Sequence, residues 1–150
     1  MAPSRRPAAR PDLCALARFR YGLRRFLRFS ERAARAAGLT PLQHQLLLGT
    51  AGFTGRGWAT ISELSEFLQE RHNGVVALVD RAARAGLVRK RRRREDRRVV
   101  RVDLTPRGRR LLVALSALHQ RELAAFPGRP PRGARAPGSA GARGRRPGGR

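Results

Sequence analysis

Apolar residues recur every three or four positions along much of the chain, which is the spacing of one face of an α-helix. This pattern predicts a long amphipathic helix over residues 12–37. A Thr-Pro pair supplies an N-cap followed by a first helical residue. Thr40–Pro41 therefore predicts a second helix to about residue 51, and Thr105–Pro106 predicts a last helix over residues 105–126.

Two shorter helices are predicted close together in the middle of the chain. Thr60 and Glu63 form a capping-box pattern that predicts a helix over residues 60–69, and apolar spacing predicts the next helix over residues 72–85. Two helices separated by so short a break are typical of a helix-turn-helix, whose second helix can enter a DNA major groove. We therefore assign residues 60–85 to a helix-turn-helix.

After residue 86 the hydrophobic pattern changes to the alternation typical of β-strands. Residues 87–93 and 99–104 are predicted to pair as an antiparallel hairpin, a wing spanning residues 87–104, and Trp58–Thr60 is predicted to be a minor edge strand. The predicted fold class is mainly α with a small β-hairpin, which is a winged helix-turn-helix domain flanked by long N- and C-terminal helices.

The two ends of the chain differ in composition from its middle. Residues 1–11 hold three Pro among Arg and Ala, and residues 127–150 consist of Gly, Pro, Ala, Ser and Arg alone. Such segments lack the apolar residues needed for a core. We predict a disordered basic arm over residues 1–11, one ordered domain over residues 12–126, and a disordered tail over residues 127–150.

The chain carries far more positive than negative charge. Its formal net charge is +24, from 34 basic and 10 acidic residues. The preference for Arg over Lys has an alternative explanation in genomic base composition, but that bias does not explain the excess of cations over anions. A polyanionic partner is therefore expected, and the helix-turn-helix indicates double-stranded DNA.

The exposed side of the 72–85 helix supplies the candidate base-reading residues, and neighbouring positions supply candidate phosphate contacts. Asn73 can hydrogen-bond both adenine N6 and N7, although it can also cap the helix. Asp80 is expected to pair with Arg81, Arg84 or a wing arginine. The predicted recognition residues are His72, Asn73, Gly74, Val76 and Arg81, and the predicted backbone contacts are Thr60, Ser62, Arg71 and Arg84.

The predicted wing is exceptionally basic, because residues 89–94 are six consecutive cations. Such a run can be a solvated face, but it is costly on one hairpin without a polyanion, so we expect it to contact phosphate or a minor groove. The candidate DNA-binding residues of the wing are Arg91, Arg93, Arg94, Asp96, Arg97 and Arg98.

Several motifs together resemble the MarR family of winged helix regulators. They are Phe29-Ser-Glu31, Gly38-Leu-Thr-Pro-Leu-Gln43, Val79-Asp-Arg81, Ala85-Gly-Leu-Val88, Glu95-Asp-Arg-Arg98 and Leu104-Thr-Pro-Arg-Gly108. The resemblance implies a homodimer built by the helices over 12–37 and 105–126, recognition helices in successive major grooves, and Asp96 and Arg97 in the minor groove. It also implies a repressor that a small aromatic ligand or an oxidant releases from a pseudo-palindromic operator.

A ligand of that kind would lie near Phe19, Phe26 and Phe29, although these side chains are equally consistent with ordinary core packing. Cys14 lacks visible partners for redox sensing and is expected to be a small buried residue. No nucleophile motif, metal-ligand cluster or long apolar run occurs, so we expect neither an enzyme nor a cofactor, a metal site or a membrane span.

The sequence therefore predicts a cytoplasmic, nucleoid-associated bacterial regulator that binds specific DNA sites. The alternative function is an architectural or RNA-binding protein that acts mainly through its basic ends.

Overall fold

Five α-helices and a three-stranded sheet occupy the part of the chain that the computed structural model describes, residues 12–92 and 99–125. The helices are α1 (Leu13–Ala36), α2 (Pro41–Leu48), α3 (Ile61–Leu68), α4 (His72–Arg84) and α5 (Pro106–Ala124); the strands are β1 (Trp58–Thr60), β2 (Val88–Arg92) and β3 (Val100–Leu104). The predicted arm, the wing tip over residues 93–98 and the predicted tail lie outside the described residues.

The three predicted threonine caps are present. The hydroxyl oxygens of Thr40, Thr60 and Thr105 accept hydrogen bonds from the amide three residues further on, at 3.1, 3.3 and 3.0 Å respectively. Each cap satisfies an amide that the first turn of a helix leaves without a partner, and such a cap typically contributes about 1 kcal/mol. The starts of α2, α3 and α5 therefore agree with the sequence pattern.

The helix after Thr40 differs from the prediction at its C-terminal end. A π-helical segment, Gly49–Phe53, follows α2 directly, where the sequence suggested a helix end near residue 51 and a glycine loop. At Gly49 a Cβ atom would lie only 2.6 Å from Cδ1 of Phe67, so the missing side chain lets this segment pack closely on α3. The glycines here allow close packing as well as a turn.

The sheet has the order β1-β3-β2, and both pairings are antiparallel. The predicted edge strand is therefore real, and it pairs with the second strand of the hairpin. Alternation along the strands gives the sheet two faces. Ala59 and Val102 are buried on the inner face, whereas Trp58, Arg101 and Asp103 lie on the outer face.

The core lies between the sheet and helices α2 to α5. Its fully buried side chains include Leu46, Leu47, Leu64, Val79 and Leu87. The start of α5 lies close to the residues just before β2, because a Cβ at Gly108 would lie 2.1 Å from the carbonyl oxygen of Leu87. The hydroxyl of Thr105 also donates to the carbonyl of Gly86 at 2.6 Å. These contacts join the last helix rigidly to the hairpin.

Much of α1 is exposed in the single chain. Leu16 and Phe19, two of the regularly spaced apolar residues of this amphipathic helix, are 59% and 52% exposed, and on α5 Val113 is 65% exposed. Cys14 is also exposed, so its prediction as a buried residue is wrong for the protomer. Residues 13–21, the N-terminal part of α1, are all exposed, whereas Gly22 and Ala34 of the same helix are buried. Within the described ranges, no helix has the length and apolarity needed to span a bilayer.

Candidate nucleic-acid interface

Helix α4 has one buried and one exposed face. Its buried face consists of Val75, Leu78, Val79 and Ala82, which pack into the core. The predicted recognition residues all lie on the opposite, exposed face: His72, Asn73, Gly74, Val76 and Arg81. Helix α4 is therefore held by the core on one side and leaves a continuous rim free for another molecule.

The N-terminal turn of α4 has no side-chain cap. Arg71 occupies the N-cap position and makes no capping hydrogen bond. Asn73 does not replace it, and its amide makes no hydrogen bond with any residue in 12–92 or 99–125. The capping alternative for Asn73 is thus absent from this structure. Asn73 is exposed, so the donor and the acceptor of its side chain are both available to another molecule.

The start of α3 is less available than the sequence suggested. The amide of Thr60 donates to Oε2 of Glu63 at 2.8 Å, which completes the capping box. Partial burial raises the pKa of Glu63, but hydrogen bonds from the Thr60 amide and from Arg56 outweigh this and lower it. A carboxylate held ionised at this helix start competes with a phosphate. Ser62 remains exposed, whereas the Thr60 amide is already engaged.

Asp80 forms an ion pair with Lys90, which links α4 to β2. The sequence suggested an arginine partner; the structure corrects this, because strand alternation places Lys90 on the face of β2 that turns toward α4. The hydrogen bond from Lys90, and the charges of Lys90 and Arg84, lower the pKa of Asp80. The charge of this acid on α4 is therefore neutralised within the chain.

The remaining predicted interface residues fall into two groups. Arg71, Arg84 and Arg91 are exposed, and the Arg91 side chain has 64% of its surface accessible. Arg89 and Arg92 on the same strand are exposed too. The other wing candidates lie outside the described residues: Arg93, Arg94, Asp96, Arg97 and Arg98.

The outer face of the sheet carries a cluster that the sequence analysis missed. The guanidinium of Arg101 donates to both carboxylate oxygens of Asp103, at 2.6 to 3.0 Å. The guanidinium carbons of Arg56 and Arg101 lie 4.0 and 4.5 Å from the ring centre of Trp58. Alternation along β3 already placed residues 101 and 103 on one face, but only the pairing with β1 brings Trp58 beside them.

A buried histidine pair lies where α1, α2 and α5 meet. Nδ1 of His119 is 2.7 Å from the carbonyl of Leu115, which can only accept, so Nδ1 donates. In the neutral ring Nε2 then accepts from the Ser30 hydroxyl at 2.8 Å. The ring of His44 lies 4.7 Å from that of His119, and burial, followed by the charge of His119, lowers the pKa of His44.

The three candidate ligand-binding phenylalanines have different surroundings. Phe26 and Phe29 pack edge-on against His119, with ring centres 5.9 and 5.4 Å away, whereas Phe19 is largely exposed. A cavity of about 280 Å³ between α1 and the end of α5 includes Phe26 but neither of the other two in its lining. Its lining is Arg18, Tyr21, Gly22, Arg25, Phe26, Glu122 and Ala125.

Comparison with known proteins identifies similar sequences and folds. The model of the MarR family matches residues 37–99, which include the helix-turn-helix and most of the hairpin. A solved MarR family transcription regulator is 30% identical, with a TM-score of 0.64 over 75% of this chain and 73% of its own. No curated protein sequence matches the chain significantly.

Two more distant structures have the same fold. AbsC, a MarR family regulator from Streptomyces coelicolor, is 19% identical, with a TM-score of 0.66 over 81% of each chain. A mutant of MarR from Escherichia coli, solved in complex with operator DNA, is 18% identical, with a TM-score of 0.58 over 77% of this chain and 84% of its own. The winged helix fold expected from the hydrophobic pattern is therefore confirmed.

Proposed function

Since the chain belongs to the MarR family of transcription regulators, we propose that it binds a specific double-stranded DNA site as a homodimer and thereby represses transcription. The observation that carries this proposal is the exposed face of α4, which is braced by the core and bordered by a cationic strand. A helix fits the width of a major groove, and strand cations beside it suit the flanking phosphates.

The recognition residues are given separate roles in this proposal. Asn73 and Arg81 read base edges, because an amide can pair with adenine and a guanidinium with guanine. Gly74 and Ala77 lack bulk, so the backbone of α4 can come close to the bases. Arg84 and Arg91 contact phosphates, which fixes the position of the protein without selecting sequence.

The homodimer is supported by the exposed apolar residues of α1 and α5. Leu16, Phe19 and Val113 are each more than half exposed in one chain, and Leu13, Leu27 and Leu118 are exposed as well. Exposed apolar side chains grouped on two long helices are typical of a protein–protein interface. A two-fold dimer would present two α4 helices, which predicts half-sites about one helical turn, ~10 bp, apart.

Release by a small molecule is the third part of the proposal. The cavity beside Phe26 combines aromatic side chains with Arg18 and Arg25, which outnumber its one acid, Glu122, and this suits an aromatic ligand that carries an acidic group. The cavity lies on α1 and α5, the helices assigned to the dimer. A ligand there would change the distance between the two recognition helices.

The proposal is tested by selecting bound sequences from random duplex DNA with the full chain. We expect a pseudo-palindromic consensus and a footprint with two protected major-groove segments on opposite sides of its centre. Binding that is uniform along random DNA would contradict a specific regulator.

Removal of both ends discriminates the alternative function, an architectural or RNA-binding protein. Residues 1–11 and 127–150 together hold ten of the 34 basic residues. If the chain is a specific regulator, a fragment of residues 12–126 keeps its consensus, and only the salt dependence of binding becomes weaker. If affinity collapses and the preference disappears, the basic ends carry the function.

A further inference from the structure

The outer face of the sheet brings three positive charges close together at the base of the wing. Arg91 lies directly opposite Arg101 across the hairpin, and Arg89 lies opposite Asp103. Like charges directly opposite each other destabilise a strand pair. Within strands β2 and β3, Asp103 is the one acidic residue, and its side chain is only 17% exposed. We therefore expect the stability of the strand pair to depend on the position of the Asp103 carboxylate.

Asp103 interacts with both members of the like-charged pair. It accepts the guanidinium of Arg101 through two oxygens at 2.6 to 3.0 Å, and Nε of Arg91 lies 3.7 Å from Oδ2. A guanidinium bound through two donors has a fixed direction, unlike an ammonium group. Asp103 thus fixes Arg101 while it offsets the charge of Arg91.

Trp58 extends this arrangement from the hairpin to the helix-turn-helix. Arg101 packs on its ring, and Arg56 packs on the same ring while donating to both carboxylate oxygens of Glu63 at 2.6 Å. Glu63 in turn caps α3 through Thr60. A continuous series of contacts therefore connects β3 to the first turn of α3, across a strand of only three residues.

We propose that Trp58, Arg101 and Asp103 are positioning residues that fix the orientation of strands β2 and β3 against the helix-turn-helix, and that contact between the wing and DNA depends on this orientation. This inference rests on the proposed DNA-binding function. It assigns no DNA contact to these three side chains. They affect DNA binding indirectly, through the wing residues that contact the duplex.

The sign of the effect of Asp103→Asn separates positioning from simple electrostatics. The substitution removes a negative charge close to DNA, so electrostatics alone predicts tighter binding. If Asp103 positions the wing, affinity for the selected consensus duplex falls about tenfold, a difference of ~1.4 kcal/mol, while affinity for random duplex rises or stays constant. The matched control is Glu66→Gln, which removes the same charge from an exposed position of α3 and is expected to bind both duplexes slightly more tightly.

Hydroxyl-radical footprinting on the consensus duplex locates the defect. In Asp103→Asn and Arg101→Lys, protection of the minor groove where the wing binds should be lost, while protection around α4 persists. Arg101→Lys keeps the charge but loses the two-donor geometry, so its defect cannot come from charge. Trp58→Leu should behave in the same way, and thermal unfolding of each variant confirms that it folds.

Hydrogen exchange of the free protein tests the inference without DNA. The backbone amides of Val100–Leu104 should exchange faster in Asp103→Asn than in wild type, with no change in α4. Unchanged exchange, together with wild-type affinity and an intact minor-groove footprint, would overturn the positioning role. If the wild-type chain selects no consensus at all, the proposed function fails first and the inference fails with it, whatever the exchange rates.

Discussion

His44 is a titratable side chain in a position where its charged form is poorly solvated. It is 4% exposed, and its Nδ1 has no hydrogen-bond partner among residues 12–92 and 99–125. The neighbouring His119 already uses Nδ1 to donate to Leu115 and Nε2 to accept from Ser30. A proton on His44 would therefore lie beside a second imidazole and near no described anion.

We predict that the free energy of unfolding decreases as the pH falls below about 6.5. The pKa of His44 is lowered in the folded chain, so the unfolded chain binds the proton first and acid favours unfolding. One such proton gives a slope of at most ~1.4 kcal/mol per pH unit. Urea unfolding from pH 7.5 to pH 5 measures the slope, which should be smaller in His44→Leu. The control is His72→Gln, which removes an exposed histidine. An equal reduction of the slope in this variant would refute the assignment of the pH dependence to His44.

Asn73 and Arg97 are predicted to differ in their effects on specificity. Asn73→Ala should remove preference at one base pair per half-site, worth about 1–3 kcal/mol of discrimination. Arg97→Ala should weaken binding with less change in base preference, because a minor-groove or phosphate contact reads little sequence. Repeating the random-duplex selection with each variant measures both. Equal, negligible effects would mean that the docking face is assigned incorrectly.

At the scale of the elements, Gly74 in α4 and Gly108 in α5 are two helical glycines with opposite surroundings. A Cβ at Gly74 would meet nothing within 4 Å in the described chain, whereas a Cβ at Gly108 would meet the Leu87 carbonyl oxygen at 2.1 Å. Alanine favours a helix interior over glycine by about 0.8–1.0 kcal/mol. The same substitution should therefore have opposite effects in α4 and α5.

Gly74→Ala is predicted to raise the free energy of unfolding by about 0.5–1 kcal/mol, and Gly108→Ala to lower it by about 1–3 kcal/mol. Thermal and urea unfolding of the two variants measure the difference directly. Gly74→Ala should nevertheless weaken specific DNA binding, because the added methyl group lies on the face proposed to approach the bases. A variant that is both more stable and equally tight in binding would contradict that close approach.

The elements that the sequence predicted well are those specified by local contacts. The threonine caps act over three residues, and alternation in β3 acts over two, so both are visible in the chain itself. The partner of Asp80 was not visible, because which side of β2 faces α4 depends on the packing of the whole sheet. The contact between Ser30 and His119 spans 89 residues, and no spacing rule reports such a pair. The Gly49–Phe53 segment was mispredicted because its glycines also occur in turns.

At the scale of the whole molecule, the exposed part of α1 is the surface on which the proposed dimer depends. Leu16 is 59% exposed in one chain, so a polar residue there should cost the folded protomer little. In a dimer the same position would be covered. The long helices and the recognition helices are then coupled through the symmetry of the assembly.

Leu16→Gln is predicted to shift the chain toward monomer and to make DNA binding depend more steeply on protein concentration. Sedimentation velocity at several concentrations measures the first effect, and titration of the consensus duplex measures the second. Arg28→Gln, at another exposed position of α1, is the control and should leave the oligomeric state unchanged. A Leu16→Gln protein that remains dimeric would remove α1 from the proposed interface.

The ring at the base of the wing has one more consequence. Trp58 is the single tryptophan of the 150 residues, so all indole emission of the protein comes from one point, between the helix-turn-helix and the hairpin. The two guanidinium groups packed on it make that emission sensitive to any shift of either arginine. Stopped-flow fluorescence of the unlabelled protein would therefore measure the rate at which the wing docks on a duplex, separately from the rate of the first encounter.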